Sequence, residues 1–159
     1  MPRHRETPPV PTSRPAAQAA LVALLRTSSI VRRTIARAVE PAGISVAQYN
    51  VLRILRGAGA AGLPTLAIRD RMIEEAPAIT RLLDKLDAAG LVLRDRGEDR
   101  RQVRCTISAD GLALLASLDS AVSAVDETVL GAIPDPELHT LLALLGAIHD
   151  PRDGSGVAD

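Results

Sequence analysis

The sequence contains no phenylalanine and no tryptophan, and Tyr49 is its only aromatic residue. A core without large rings must be filled by Leu, Ile, Val and Ala, which favours close packing of helix on helix. Cys105 is the single cysteine, so a disulfide framework and any site built from several thiolates are excluded. His4, His139 and His149 are far apart and never at helical i, i+4 spacing, so no metal site is expected. No Ser/His/Asp or Cys/His pattern suggests a nucleophile with its base. The expectation is a protein that is not an enzyme and needs no cofactor. No apolar run approaches the ~20 residues that span a bilayer. The amino terminus has no apolar signal core; its basic residues run into Pro8, Pro9, Pro11 and Pro15. A cytoplasmic protein without a membrane partner is expected.

The chain has 159 residues, of which 47% are hydrophobic, enough for one cored domain with appendages. Formal net charge is zero, but its distribution is uneven. Residues 1–40 carry seven Arg against two Glu. Residues 53–104 carry ten Arg and Lys85 against eight acids. Residues 105–159 carry one Arg against nine acids. Such polarity from end to end points to a side that faces a polyanion.

Residues 1–14 are Pro-rich and polar and read as a flexible arm, either solvated or touching DNA through its three arginines. A helix is expected from Pro15 to Glu40, with Leu21, Leu24, Leu25, Ser28, Val31, Ile35 and Val39 on one face and Arg26, Arg33 and Arg37 largely off it. Pro41 and Gly43 end it, and a linker runs to residue 44. Ser45 suits the N-cap of a helix over Val46–Arg56, presenting Tyr49, Leu52 and Leu55. The small residues Gly57 to Gly62 form a turn; no Lys-Ser/Thr follows to make it a phosphate cradle. A short helix is expected over Pro64–Met72, with Leu66, Ile68 and Met72 inward. Ile73, Glu74 and Glu75 make the next turn.

The stretch from Ala76 to Gly111 organises the rest. Ile79, Leu82, Leu83 and Leu86 fall at i, i+3, i+4 and i+7, one stripe of a helix. Pro77 suits its first turn and Gly90 a left-handed C-terminal cap. A hairpin follows: in one arm Leu91 and Leu93 alternate with Val92 and Arg94, and in the other Val103, Cys105 and Ile107 alternate with Arg104 and Thr106. Cys105 alternates in phase with Val103 and Ile107, so it is expected buried and inert, not a redox sensor. The tip between the arms, from Asp95 to Gln102, has no apolar residue and carries Arg96, Arg100 and Arg101. A helix followed by a hairpin with an arginine-rich tip is the layout of a winged helix-turn-helix. The expected fold is mainly α (α+β), a winged helix-turn-helix domain over 45–108 with a two-stranded wing.

Ser108 caps a long helix from Ala109 to about Ala132. Leu115, Leu118, Val122, Val125 and Val129 are spaced 3-4-3-4, as in a coiled-coil seam. Pro134 and Pro136 break the chain, and Leu138, Leu141, Leu142, Leu145 and Ile148 mark a last amphipathic helix. Residues 151–159 form a polar tail. The helices over 15–44 and 109–150 exceed what a small winged domain needs. Burying them against a second copy predicts a homodimer, through Leu21, Leu24 and Leu25 of the first helix, the seam, and Leu138, Leu141, Leu142 and Leu145.

Residues Ser45 to Leu115 resemble the MarR family of bacterial transcriptional regulators. The residues that carry the resemblance are Gln48-Tyr49-Asn50-Val51-Leu52-Arg53-Ile54-Leu55, then Thr80-Arg81-Leu82-Leu83-Asp84-Lys85-Leu86 with Gly90-Leu91-Val92, then Asp99-Arg100-Arg101, then Thr106-Ile107-Ser108-Ala109-Asp110-Gly111. Their order and spacing together match, and so do the helical flanks. The resemblance implies a dimer on a pseudo-palindromic operator in double-stranded DNA, released when a small-molecule effector binds between the winged and dimerisation regions. The recognition helix of such a domain enters the major groove with its amino-terminal half. Pro77, Ala78, Thr80 and Arg81, with Lys85 further along and Thr65 on the preceding helix, are therefore the candidate DNA contacts. Arg81 suits a bidentate contact to guanine, or an ion pair with Asp84 or Asp70. Arg96, Arg100 and Arg101 suit a narrow minor groove or a self-neutralising loop with Asp95, Glu98 and Asp99. The resemblance assigns the groove contact to Arg101 and a bracing role to Asp99.

The chain departs from the family at Ile73 and Ala76, where a small residue and a Ser or Thr are common. Glu74 and Glu75 also set negative charge near the expected phosphate track. Two other readings therefore stand beside the regulator: a winged helix that binds protein instead of DNA, and a small-molecule-binding protein without a DNA role. With Tyr49 the only aromatic, an aromatic-lined effector pocket is not expected.

Overall fold

The computed structural model describes residues 14–73, 78–96 and 103–149. Helix α1 spans Pro15–Val39, with Pro15 at its start, and a 3-10 turn over Glu40–Ala42 leads to Gly43 at φ 69°. Helix α2 spans Val46–Ala58. Its N-cap is reciprocal. The Gln48 N–H donates to Ser45 Oγ at 3.2 Å, and the Ser45 N–H donates to Gln48 Oε1 at 2.9 Å. The remaining elements are β1 (Leu63–Pro64), α3 (Thr65–Arg69), α4 (Ile79–Ala88), β2 (Val92–Arg96), β3 (Val103–Ile107), α5 (Ala109–Leu130) and α6 (Asp135–His149).

Helix α2 is the centre of the winged unit. Tyr49, Val51, Leu52 and Leu55 are buried on it and meet Ile68 of α3, Ile79, Leu83 and Leu86 of α4, and Val92 and Cys105 of the sheet. Arg53 lies over the Tyr49 ring, 5.9 Å from its centroid. The strands form one antiparallel sheet in the order β1-β3-β2. The hairpin β2–β3 pairs Val92 with Ile107 and Arg94 with Cys105, and β1 adds Leu63 opposite Cys105. Two residues with a proline among them carry no alternation, which is why β1 was invisible in the sequence. Gly62 lets it form: at φ 57° it packs on the Cys105 carbonyl, where a Cβ would collide.

Helix α4 ends in a paired C-terminal cap. The Leu91 N–H donates to the Leu86 carbonyl at 2.9 Å, and the N–H of Gly90, at φ 72°, donates to that of Asp87 at 2.8 Å. Ser108 then ties three elements together. Its hydroxyl accepts from the Gly111 N–H at 3.0 Å and donates to the Gly90 carbonyl at 2.6 Å.

Three packing expectations are corrected. Helix α3 is only five residues long, so Ile68 is buried but Leu66 is 61% exposed. In β2 the inward residue is Val92, and Leu93 is 58% exposed, because Val92 shares its face with Ile107. On α5, Leu115, Leu118 and Val125 are already buried within one chain, while Val122 and Val129 are half-buried. The physical reason is that α1 and α2 of the same chain pack on α5, and Leu115 and Leu118 join the core that α2 centres. An apolar stripe requires a cover, and its own chain supplies most of it here.

Candidate DNA-binding surface and effector cavity

The α4 stripe separates two faces. Ile79, Leu83 and Leu86 lock the inner face into the core, leaving Thr80, Arg81, Asp84 and Lys85 exposed on the outer one. Ala78 is exposed at the N-cap, which has no side-chain cap bond. Asp84 is committed to Arg94 of β2, whose side chain is only 21% exposed. Asp70 is paired with its neighbour Arg69 at 3.0 Å. Both acids proposed as partners for Arg81 are thus engaged elsewhere, and among the described residues Arg81 has no ion pair. A guanidinium held outward on a rigid helix, free of an internal carboxylate, can reach a base edge or a phosphate.

The wing stands beside this face. Arg96 is the last residue of β2. Asp99, Arg100 and Arg101 at its tip lie outside the described residues, as do Glu74, Glu75, Ala76 and Pro77, residues 1–13 and residues 150–159. Arg94 and Arg104 do not point to a ligand. Arg94 joins the wing to α4 through Asp84, and Arg104 donates to the carbonyls of Ala61 and Gly62 at 2.9 and 3.2 Å. Neither brace had a local signal, since each partner is set by the tertiary fold.

Thr65 differs from expectation. It is half-buried at the start of α3, and its side chain is a hydrogen-bond partner of the Cys105 thiol. Cys105 itself is buried, and burial pushes its thiol pKa above the ordinary value. The Arg94 charge and hydrogen bonds from Thr65 and Arg94 offset this only in part. A protonated, enclosed thiol is a poor nucleophile.

A second feature lies behind the turn that enters α4. A cavity of about 500 Å³ opens between α1, α2, Met72, Ile73 and the end of α6. Leu24, Val31, Ile35, Leu145 and Ile148 are among its apolar lining residues, and Thr27 and Ser28 of α1 and Asn50 of α2 line it as well. The Ile73 N–H donates to Asn50 Oδ1 at 3.2 Å. The turn before the recognition helix is therefore held by a side chain that also lines the cavity. Sequence reasoning missed Asn50, because its partner is 23 residues away.

Among the described residues no helix is long and apolar enough to cross a membrane, and no group of His, Cys, Asp and Glu is placed to hold a metal ion.

Comparison with known proteins agrees with this architecture. Residues 44–103 match the family model described as MarR family. The chain is 40% identical to a MarR transcription factor from Planctomyces limnophilus, covering 80% of this chain and 93% of that one, with a TM-score of 0.65. It is 26% identical to CouR from Rhodococcus jostii RHA1, whose structure was solved bound to p-coumaroyl-CoA; 86% of this chain and 95% of that one are covered, with a TM-score of 0.73. An HTH-type transcriptional repressor of Mycobacterium bovis is 27% identical over 128 residues, 78% of this chain and 91% of that protein. A putative transcriptional regulatory protein of Thauera aromatica is 27% identical over 108 residues, 67% of this chain, which spans 64% of that protein's length. The chain belongs to the MarR family of DNA-binding transcriptional regulators.

Proposed function

We propose that the protein works as a homodimer on a pseudo-palindromic operator, as a repressor that a small ligand releases. The observation that carries this reading is the outer face of α4, where Thr80, Arg81 and Lys85 are exposed above a fully packed inner face. Arg81 would read a base edge and Thr80 a methyl or phosphate, with Ala78 and Pro77 at the leading end. Arg96, Arg100 and Arg101 of the wing would enter the adjoining minor groove, with Asp99 bracing them. We place it in the cytoplasm, with the DNA it would bind.

The dimer reading is supported by leucines that one chain leaves uncovered. Leu21 and Leu25 of α1 are 59% and 65% exposed, and Leu142 of α6 is 67% exposed. Leu24, Leu138, Leu141 and Leu145 continue these two surfaces. Ligand release is supported by the cavity and by the Asn50–Ile73 hydrogen bond, through which a guest would shift the entry to α4.

The test is fluorescence anisotropy on duplexes from the promoter beside the gene. With about 6–10 phosphates neutralised per dimer, affinity should fall roughly 10³–10⁵-fold between 50 and 200 mM salt. Half-sites should lie about 10–10.5 base pairs apart, one helical turn. The rival reading, a winged helix that binds protein instead, draws on Glu74, Glu75 and the zero net charge. A flat salt titration would favour it.

A further inference from the structure

Arg81 and Asp84 stand three positions apart on the outer face of α4, both exposed. Side chains at that spacing meet on a helix surface. The other residues three or four positions from Arg81 are Pro77, Ala78 and Lys85, so Asp84 is the one acid at helical reach of it along the chain. Taken alone, α4 would pair the two and turn the guanidinium onto its own helix. The tertiary structure does otherwise. Arg94 Nη1 donates to Asp84 Oδ1, and Arg81 has no ion pair among the described residues.

Arg94 takes the carboxylate because the sheet already holds it. It lies on the face of β2 shared with buried Val92, opposite Cys105 in the ladder, and it hydrogen-bonds the Cys105 thiol. Its side chain is 21% exposed, against 55% for that of Asp84. A guanidinium ordered in this way gives up little rotamer freedom on pairing, whereas Arg81 would give up that of an exposed side chain.

We propose that Arg94 is a positioning residue for DNA recognition: by holding Asp84 it keeps Arg81 unpaired and available to the groove, while touching no DNA itself. The proposal rests on the reading of Arg81 as a base contact and goes beyond it by assigning what keeps that contact free.

Anisotropy with the full chain on cognate and scrambled duplexes tests it. Arg94→Met keeps an apolar stem in the sheet and removes the charge. It should weaken cognate binding about fivefold, the upper range of an exposed ion pair, and lower discrimination at the base pair that Arg81 reads. In an Arg81→Ala background the same change should cost less than about twofold, because no guanidinium is left to capture. Adding Asp84→Asn to Arg94→Met should restore binding to within about twofold of wild type. Asp84→Asn alone, at an exposed position that leaves folding intact, should bind like wild type, and so should Arg94→Lys, which keeps the charge. A pair that only braced the wing would behave differently. Asp84→Asn would then weaken binding as much as Arg94→Met, the Arg81→Ala background would change nothing, and the double variant would not recover. Any of these results overturns the proposal, and the Asp84→Asn result decides it even if Arg94→Met fails to fold.

A second readout needs no DNA. The heteronuclear NOE of the Arg81 Nε–H should be low in the wild type, rise in Arg94→Met as Asp84 captures the side chain, and fall again when Asp84→Asn is added. This separates the proposal from its premise. If Arg81→Ala binds like wild type, the base-contact reading fails, while a rise at Arg81 still upholds the masking of Asp84 by Arg94. No rise overturns the masking whatever the DNA result.

Discussion

The winged unit and its helical flanks are built from the same aliphatic residues, yet they close differently. In the winged unit, α2 collects the inner faces of α3, α4 and the sheet, and Val51, Leu52, Leu55, Ile68, Leu83, Leu86 and Val92 are completely buried. In the flanks, α1 and α2 pack on α5, but the amino-terminal half of α1 and most of α6 remain open. Leu21, Leu25, Leu142, Leu144 and Ile148 are all more than half exposed. Two leucine-rich stripes of similar periodicity thus have different standing. One completes a protomer, and the other presents apolar surface of the kind that marks an interface.

The sharpest way to break this contrast is to put charge on the open surface. Leu25→Asp with Leu142→Asp should abolish dimerisation and DNA binding together, because each carboxylate would be buried unpaired against the second copy. The winged unit should keep its fold. Sedimentation with circular dichroism checks both. A variant that remains dimeric would show that these leucines are not the interface, and a wild-type monomer would remove the dimer altogether.

Substitution in the closed region should act on stability. Leu83→Ala, at a position with no exposure, should cost about 2–5 kcal/mol through lost burial and the cavity left behind. Denaturant unfolding measures it. A cost near zero would mean that α4 is not anchored by its inner face.

The outer face of the same helix should behave in the opposite way. Arg81→Ala should leave the melting temperature nearly unchanged and weaken cognate DNA binding by about 1–3 kcal/mol, with discrimination relaxed at one base pair per half-site. Binding to cognate and scrambled duplexes provides the comparison. Equal losses on both would reassign Arg81 to a phosphate.

The smallest effect expected is at the seam between the two regions. Arg56 of α2 and Asp119 of α5 are paired at 3.0 Å, with side chains 37% and 53% exposed. Because solvent screens such a pair, a double-mutant cycle with alanine at both positions should give a coupling of only about 0.2–1 kcal/mol. A much larger value would mean that the regions are joined by electrostatics rather than by the packing of α1 and α2 on α5.

Periodicity and cap chemistry were enough to read most of the helices from the sequence. The 3.6-residue stripe of α4, the Ser45 and Ser108 caps and the glycine at position 90 each depend on nearest neighbours along the chain, so they are written locally. The inward position of Cys105 followed from strand alternation for the same reason. What failed to show was what depends on distant partners. Strand β1 exists because Gly62 can approach the Cys105 carbonyl. Thr65 turns toward that same cysteine. Arg94 and Arg104 brace the wing, and Asn50 holds the turn at Ile73.

The α5 stripe draws the line most clearly. Its spacing alone determined that Leu115, Leu118 and Val125 must be covered, because apolar side chains on one helical face leave water together. Only the tertiary structure decided that α1 and α2 of the same chain pack against that helix, because burial is non-directional and does not specify which surface supplies the contact.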